Sequence, residues 1–523
     1  MKNLNYVIVI GYSRSGSSAC TNLLKEFEGF HAVDGEFRIA KDPYGLLDLE
    51  NALVHNWDVM RNDIAIRDFF SYCDMFSRSP GLFKKTGKGF SNKLNVDVMN
   101  LAENYINSLV DMVFIGKLGG EAIAAGAFNV PIFFLVMGLS FGLGSGVTAS
   151  IARFIGSEDK VNADNAAEHS IVIAVLISII LSAVGLIYGK EILTFMGCTP
   201  NVLPNAWNYL KVSCYGLSFG ILSAFFRSIL AGEGDMKLPM ILAGLGTVFN
   251  IILDPIFIFY LDFGVVGAAW ATTISQMIVF IIFTFMLFIK KHSYVRFKMS
   301  DFSPSKFIIG DIIKVGIPSS MSFIVMSLGQ LFFNRILVTY STGAVAAYQI
   351  GGRIDMIVFL PIMGIASALT TMVGMFYGAN ETEKIKFITK YGISRAVIIT
   401  SIGAVILYTF APNVVALFTT ESSIKSISIG YLRNIAIIFP FIAIGLSIGR
   451  ILQGIGLGMP SLIITIIRVI GVAGPLAYYF TNILNKPIEW IWYAMVISGL
   501  MATMISVIWL RVAFRKLLPA IPK

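Results

Sequence analysis

Long apolar runs follow one another from about residue 96 to the C-terminus, and only short polar segments separate them. A helix needs about 20 apolar residues to cross the hydrocarbon core of a bilayer. The pattern therefore predicts twelve membrane-spanning helices, at residues 96–117, 121–150, 167–189, 204–230, 238–260, 264–289, 307–339, 343–375, 388–411, 427–452, 460–482 and 488–512. The first run is the least apolar, because it contains Asp97, Glu103 and Asp111.

Residues 1–90 differ from this pattern, because they mix charged and apolar residues as a soluble α/β segment does. The stretch YVIVIGYSRSGSSACTNLL predicts a strand, a glycine-bounded turn and the start of a helix. Its glycines have the spacing of a phosphate-binding loop, although a serine stands where such a loop has its lysine. Backbone N–H groups at the helix start could still hold a phosphate. The candidate loop residues are Gly11, Arg14, Ser15, Gly16, Ser17 and Ser18.

Composition and charge agree with a membrane protein. Hydrophobic residues make up 56% of the 523 residues, charged residues 14%, and the mean hydropathy is +0.76. Basic residues are concentrated in the segment KKHSYVRFKMSDFSPSK and near the C-terminus, which predicts that both lie in the cytoplasm. The net charge of +9 is explained by these cytoplasmic segments, and we expect no nucleic-acid partner. We expect a multi-pass protein of the plasma membrane with both termini in the cytoplasm.

The chain also contains an internal repeat. AIAA at 122–125 matches AVAA at 344–347, and ILAGEG at 229–234 matches ILQGIG at 451–456. Both pairs have the same offset of 222 residues (344 − 122 and 451 − 229). We therefore divide the chain into the segment 1–90 and two six-helix lobes, at 91–295 and 296–523. An even number of spans in each repeat predicts two lobes related by an axis along the membrane normal, with a cleft between them.

An acidic residue interrupts the apolar run NIILDPIFI at Asp254. A charge at the bilayer centre costs at least ~2.5 kcal/mol, so intramembrane acids usually have a function. Asn250 precedes Asp254 by four residues and therefore shares its helix face. The repeat places Val472 and Leu476 at the matching positions, so the acid belongs to one lobe only. We predict a site for H⁺ or Na⁺, and a structural carboxylate with satisfied hydrogen bonds stays open as the alternative.

Four further polar residues lie within predicted spans of the C-terminal lobe. They are candidates for lining the cleft: Gln330, Asn334, Arg353 and Asp355. Gln330 and Asn334 are four residues apart and can equally serve as hydrogen-bonding contacts between helices. Arg353 can alternatively extend its side chain toward the interface with water.

Four stretches resemble the multidrug and toxic compound extrusion (MATE) transporters over about residues 96–523. They are NSLVDMVFIGKLGGEAIAA, RSILAGEGDMKLPM, NIILDPIFIFYLDFGVVGAAWATTISQ and RIDMIVFLPIMGIASALTTMVGMFYGA. The resemblance implies two lobes of six helices and export of small, often cationic organic compounds by antiport with H⁺ or Na⁺. It implies a cation site in the N-terminal lobe at Asp111, Asn250, Asp254 and Thr272, with Thr273 as the alternative to Thr272. We expect no cofactor, no enzyme activity and a monomer.

The beginning of the chain departs from this family. MATE helix one usually carries a proline, and helix seven keeps one at Pro318, but the matching position in helix one is Val96. The segment at about residues 1–80 instead resembles the opening of a sulfotransferase that uses 3′-phosphoadenosine 5′-phosphosulfate, without that domain's later parts.

Two alternative functions stay open beside drug export. One is a flippase for lipid-linked saccharides, which would have the same broad architecture, and the other is a membrane-tethered sulfotransferase.

Overall fold

A computed structural model describes residues 120–297, 302–416, 418–419 and 421–517, and every regular element in this part of the chain is helical. In chain order the helices are α1 (Gly120–Gly156), α2 (Lys160–Phe195), α3 (Leu203–Glu233), α4 (Lys237–Pro255), α5 (Gly264–Thr284), α6 (Lys306–Val338), α7 (Thr342–Gly378), α8 (Thr382–Ala416), α9 (Ser422–Gly454), α10 (Met459–Ile466), α11 (Gly474–Tyr478) and α12 (Glu489–Leu517). Four π-helical segments extend α4, α5, α10 and α11: Ile256–Tyr260, Phe285–Ile289, Ile467–Ala473 and Tyr479–Ile483. Through them, α10 and α11 form one continuous span.

In the described part of the chain, eleven helical stretches are long and apolar enough to cross a membrane. They correspond to the second through twelfth predicted spans, and Gly264–Ile289 has the predicted limits. The prediction of an all-helical, multi-pass membrane protein is confirmed for these residues. The first predicted span at 96–117 and the predicted α/β segment at 1–90 lie outside the described residues.

The same contacts occur in both lobes at the offset of 222 residues. The Thr148 hydroxyl donates to the Ser228 carbonyl at 2.9 Å, and the Thr370 hydroxyl donates to the Arg450 carbonyl at 3.3 Å. α3 and α9 are each followed by a glycine with positive φ, at Gly234 (+89°) and Gly456 (+95°). Glycine adopts this left-handed conformation without a steric penalty. The two lobes are therefore copies of one packing arrangement.

The lobes meet where α1 and α7 end, in a contact that we call the seal. A Cβ added to Gly156 would lie 1.9 Å from the Met375 carbonyl oxygen, and one added to Gly378 would lie 2.0 Å from the Arg153 carbonyl oxygen. The two contacts are reciprocal, because Arg153 and Met375 are themselves 222 residues apart. Only glycine permits backbones to approach this closely.

Polar contacts reinforce the seal. The Arg153 guanidinium pairs with the Asp311 carboxylate of α6 at 2.5 Å and donates to the Gly454 carbonyl at 3.0 Å. The Thr371 hydroxyl of α7 donates to the Ala231 carbonyl of α3 at 2.8 Å. Both contacts join the N-terminal lobe to the C-terminal lobe, so they fix this end of the molecule in a closed state.

Away from the seal, the facing sides of α1 and α7 are exposed. Leu135 lies five turns before Arg153 on one face of α1 and is 47% exposed. Ile357, its counterpart in the repeat, is 38% exposed on α7. At these two positions, which lie toward the opposite end of the molecule from the seal, no described residue of the other lobe covers the helix face. This uncovered region between the lobes is the cleft.

The connection between the lobes is held against the N-terminal lobe. The Glu233 carboxylate accepts hydrogen bonds from the backbone N–H groups of Tyr294 and Val295, each at 2.9 Å. Nε2 of His169 accepts from the backbone N–H of Ser305, also at 2.9 Å. The connection leads directly into α6, whose Asp311 takes part in the seal. The basic connection and the seal therefore lie at the same end of the molecule.

We expect Gly156→Ala and Gly378→Ala to open the seal to a similar extent, because the added methyl groups meet a carbonyl oxygen in each case. Overpacking of this kind typically costs about 1–3 kcal/mol. The reporter is a cysteine at Thr371, a buried position of the seal, whose reaction with a water-soluble thiol reagent should be about tenfold faster in both variants.

Gly310→Ala is the matched control, since a Cβ at this α6 glycine has no neighbour within 4 Å. Equal reactivity of the cysteine in all three variants would show that the glycine contacts do not hold the seal closed.

Candidate functional site

Asn250, Asp254 and Thr272 come together inside the N-terminal lobe. Asn250 is 2% exposed and Asp254 is 0% exposed, both on α4, while Thr272 lies on the adjacent helix α5. The Asn250 side-chain amide donates to the Asp254 carboxylate and to the Thr272 hydroxyl, each at 3.3 Å. The cluster therefore combines one carboxyl group with two neutral polar side chains that can donate and accept hydrogen bonds.

The neighbouring threonine takes a different position. The Thr273 hydroxyl donates to the Val212 carbonyl of α3 at 3.4 Å, and its side chain packs against Gly216. Consecutive residues of a helix point about 100° apart, so only one of the two threonines can face α4. The structure places Thr272 in the cluster and uses Thr273 in packing between α3 and α5.

A close approach of α5 to the end of α4 brings Thr272 within reach. A Cβ added to Gly267 would lie 2.6 Å from the carbonyl carbon of Phe257, in the π-helical segment that follows α4. Any larger residue at position 267 would push the two helices apart. The glycine therefore sets the distance across which Asn250 contacts Thr272.

The helix geometry beside Asp254 is a property of the fold and not of the site alone. Pro255 lacks an N–H group and is followed by the π-helical segment Ile256–Tyr260. The C-terminal lobe has a corresponding π-helical segment at Tyr479–Ile483, one residue beyond the offset of 222. There the residues matching the polar cluster are Val472, Leu476 and Ala494. The π-helical turn after Asp254 thus recurs in the other lobe, whereas the polar groups beside it occur in the N-terminal lobe only.

The four candidate cleft residues of the C-terminal lobe separate into two groups. Gln330 and Arg353 are exposed, and Asn334 accepts a hydrogen bond from the Gln349 side chain at 3.1 Å. Asp355 is only 8% exposed and lies inside the lobe, where its carboxylate accepts from the Tyr431 hydroxyl at 2.6 Å. Residues two apart on a helix point in nearly opposite directions, so Arg353 and Asp355 cannot share a wall of the cleft.

The surroundings of Asp355 contain functional candidates that we did not predict. Tyr431 packs edge-on against Trp492 with ring centroids 4.9 Å apart, and Tyr348 stacks on the same indole at 6.2 Å. The repeat offset contained a usable signal, because Tyr431 and Trp492 match Tyr209 and Trp270 in the N-terminal lobe.

At the position matching Asp355, however, the N-terminal lobe has Phe133, which packs edge-on against Tyr209 at 6.0 Å. An aromatic contact in one lobe is thus replaced by a carboxylate hydrogen bond in the other. This difference was visible in the sequence at the offset of 222.

Two predicted sites cannot be placed. Asp111, the fourth residue of the predicted cation site, lies outside the described residues, and so do all the candidate phosphate-loop residues from Gly11 to Ser18. Their assignments stay predictions. Within the described ranges, no three His, Cys, Asp or Glu side chains form a group that could hold a metal ion.

Comparison with known proteins identifies the chain's relatives. The sequence model of the MatE family matches residues 98–256 and again residues 318–479, one match in each lobe. The probable multidrug resistance protein NorM of Thermotoga maritima is 28% identical over 406 residues, covering 76% of this chain and 86% of NorM. The probable multidrug resistance protein YoeA of Bacillus subtilis is 25% identical over 396 residues, covering 74% of this chain and 85% of YoeA.

Solved structures give the same result. A MOP superfamily transporter from Pyrococcus furiosus, described as having a binding pocket of reversed polarity, superposes with a TM-score of 0.78 at 33% identity. The match covers 81% of this chain and 95% of that protein. A multidrug resistance MATE family transporter in an outward-facing conformation superposes with a TM-score of 0.76, also at 33% identity.

The family match covers more than half of the chain and includes both lobes, and the relatives are transporters and not enzymes. The predictions of a MATE fold, a transport function and the absence of enzyme activity are confirmed. The chain belongs to the MatE family of multidrug efflux transporters.

Proposed function

We propose that the protein exports small organic compounds from the cell by exchanging them for H⁺ or Na⁺ at a site formed by Asp111, Asn250, Asp254 and Thr272. The observation that carries the proposal is the buried contact of Asn250 with both Asp254 and Thr272. It supports a coupling role because it occurs in one lobe of a repeated fold, whereas a contact needed for packing would be expected in both.

The physical basis of the coupling is the cost of a buried charge. A carboxylate without exposure to water is stable only when a proton neutralises it or a cation and hydrogen bonds compensate it. Asp254 therefore favours the ion-bound state while its lobe is closed around it. Cargo binding and a change of lobe arrangement would then alter this balance, so that the ion gradient drives export.

We infer that the seal faces the cytoplasm and that the described conformation opens outward. The basic connection between α5 and α6 lies at the sealed end, and the positive-inside rule places such segments in the cytoplasm. Both termini would then also be cytoplasmic, and the protein would reside in the plasma membrane. Since the two lobes of a single chain enclose the cleft, a monomer is sufficient for transport.

Asp254→Asn should abolish coupled export and leave the protein folded, because the amide preserves the shape of the side chain and its contact with Asn250. We expect export from proteoliposomes to fall to the passive background, a loss of at least about tenfold. Asp262→Asn makes the same charge change at an exposed turn beyond the same helix and should leave export intact. Undiminished export by the Asp254 variant would exclude this carboxyl group from coupling.

Thr272→Val should weaken coupling, whereas Thr273→Val should not, because only Thr272 contacts Asn250. We expect the ion concentration for half-maximal export to rise about threefold to tenfold in the first variant, as for the loss of one hydrogen-bonding ligand. The two substitutions are chemically identical neighbours, so each serves as the control for the other. A larger effect of Thr273→Val would show that Thr273, and not Thr272, belongs to the site.

The coupling ion can be identified by imposing the two gradients independently. Export from proteoliposomes is measured with a pH gradient at equal Na⁺, and then with a Na⁺ gradient at equal pH. The proposal expects that one gradient alone drives export and that Asp254→Asn removes this response. Export that ignores both gradients would rule out cation antiport altogether.

A further inference from the structure

Asp355 is buried in the C-terminal lobe with only one of its two carboxyl oxygens bonded. Oδ2 accepts from the Tyr431 hydroxyl at 2.6 Å, and the residue as a whole is 8% exposed. Oδ1 is inaccessible to water and has no hydrogen-bond partner among the described residues, which include the helices α6 to α12 of this lobe. An ionised carboxylate accepts hydrogen bonds at both oxygens, so the charged form would leave a buried acceptor unsatisfied.

Gly351 positions the Tyr431 ring for this contact. It precedes Asp355 by four residues and therefore shares its face of α7. A Cβ added to Gly351 would lie 2.2 Å from Cδ1 of Tyr431, so the ring lies directly against the α7 backbone one turn before the acid. The matching positions of the N-terminal lobe hold Asn129 and Phe133. The glycine and the acid thus occur together in one lobe, and the fold does not require either of them.

Aromatic rings from three helices pack around the tyrosine that holds the carboxyl group. Tyr348 of α7 and Tyr431 of α9 both contact Trp492 of α12, and the two tyrosine rings meet edge-on at 5.6 Å. Trp492 is fully buried. A hard metal ion binds roughly six or more oxygen atoms, whereas the described residues bring a single hydroxyl group within hydrogen-bonding distance of Asp355. The ligand that fits is a proton, which needs one oxygen atom and no cavity.

No basic side chain in the described part of the chain forms an ion pair with Asp355. Arg468, in the π-helical segment Ile467–Ala473, interacts electrostatically with Tyr348 and not with the acid. Other charged residues on α7 and on the helices of the lobe around it are exposed: Arg335 of α6, Arg353 of α7, Arg395 of α8, Arg433 of α9 and Glu489 of α12. A buried charge without a partner is costly, so this packing favours the neutral carboxyl group.

We propose that Asp355 is a proton-binding site of the C-terminal lobe, occupied while α7, α9 and α12 pack as described and emptied when water reaches the carboxyl group. On uptake, a proton from water forms an O–H bond at Oδ1, and on release it returns to water. Tyr431 goes on donating to Oδ2, because a protonated carboxyl group can still accept a hydrogen bond. The site goes beyond the proposed export function, which uses the ion site of the N-terminal lobe only.

Infrared spectroscopy of the purified full-length protein tests the assignment, because the C=O stretch of a protonated carboxyl group is separate from the bands of ionised carboxylates. At neutral pH we expect a band that is lost in Asp355→Asn and that shifts in D₂O as its proton exchanges. Tyr431→Phe should move the band to higher frequency without removing it, since the C=O group loses its donor.

Asp262→Asn is the matched control, because it makes the same change at an exposed turn and should leave the band in place. Identical spectra of the native protein and Asp355→Asn in this region would show that Asp355 is ionised and would overturn the proposal. A band that never shifts in D₂O would equally overturn it, because the proton would then not be released.

Raising the pH should open the aromatic cluster, because an ionised Asp355 requires water. The reporter is quenching of Trp492 fluorescence by acrylamide, taken as the difference between the protein and its Trp492→Phe variant. We expect quenching to rise about threefold between neutral and alkaline pH in the native protein and to stay constant in Asp355→Asn. This variant retains both tyrosines, so an equal rise in the two proteins would assign the opening to another group and contradict the proposal.

These measurements use neither cargo nor an ion gradient, so their outcome is separable from that of the export proposal. If the Asp355 band is found and export by Asp254→Asn is undiminished, the proposed coupling site fails and the proton site stands. If the band is missing and Asp254→Asn abolishes export, the reverse holds.

Discussion

The exclusion of water from Asp254 is the constraint on which the arrangement of the N-terminal lobe depends. A carboxyl group with no exposure to water needs polar partners that are held in place, because it cannot exchange them for solvent. Asn250 provides one from the same helix, and its amide also donates to Thr272, which the close approach of α5 at Gly267 brings within reach. The packing of α5 against α4 therefore also determines which polar groups form the site.

The repeat separates what the fold requires from what the function requires. Features that occur in both lobes belong to the fold: the glycine contacts of the seal, the threonine-to-carbonyl bonds of α1 and α7, and the π-helical segments after α4 and α11. A buried carboxyl group that occurs in one lobe only is, by the same logic, a candidate for function. The Asn250–Asp254–Thr272 cluster is one, and the Asp355–Tyr431 bond that replaces the Phe133–Tyr209 contact is another.

Most of the fold and part of the site could be predicted from the sequence. Span length predicted eleven of the observed helical stretches, and the offset of 222 predicted contacts that the two lobes share. Helix faces were harder, because the direction of a residue depends on tertiary packing that no local pattern encodes. Thr272 and Thr273 are indistinguishable in the sequence, and Arg353 and Asp355 look like a pair although they point to opposite sides.

The burial of Asp254 separates its electrostatics from those of the cleft wall. A carboxylate exposed on the cleft wall could pair with an exposed basic residue such as Arg353, and it would then bind an ion less well. Asp254 lies inside one lobe and is out of reach of such pairing, as the proposed ion site requires. α7 carries both Arg353 and the seal contact at Thr371, so any motion that breaks the seal also moves this charge relative to the opposite wall. Ion binding and cargo binding can therefore be coupled through the position of the lobes, without any direct contact between the two ligands.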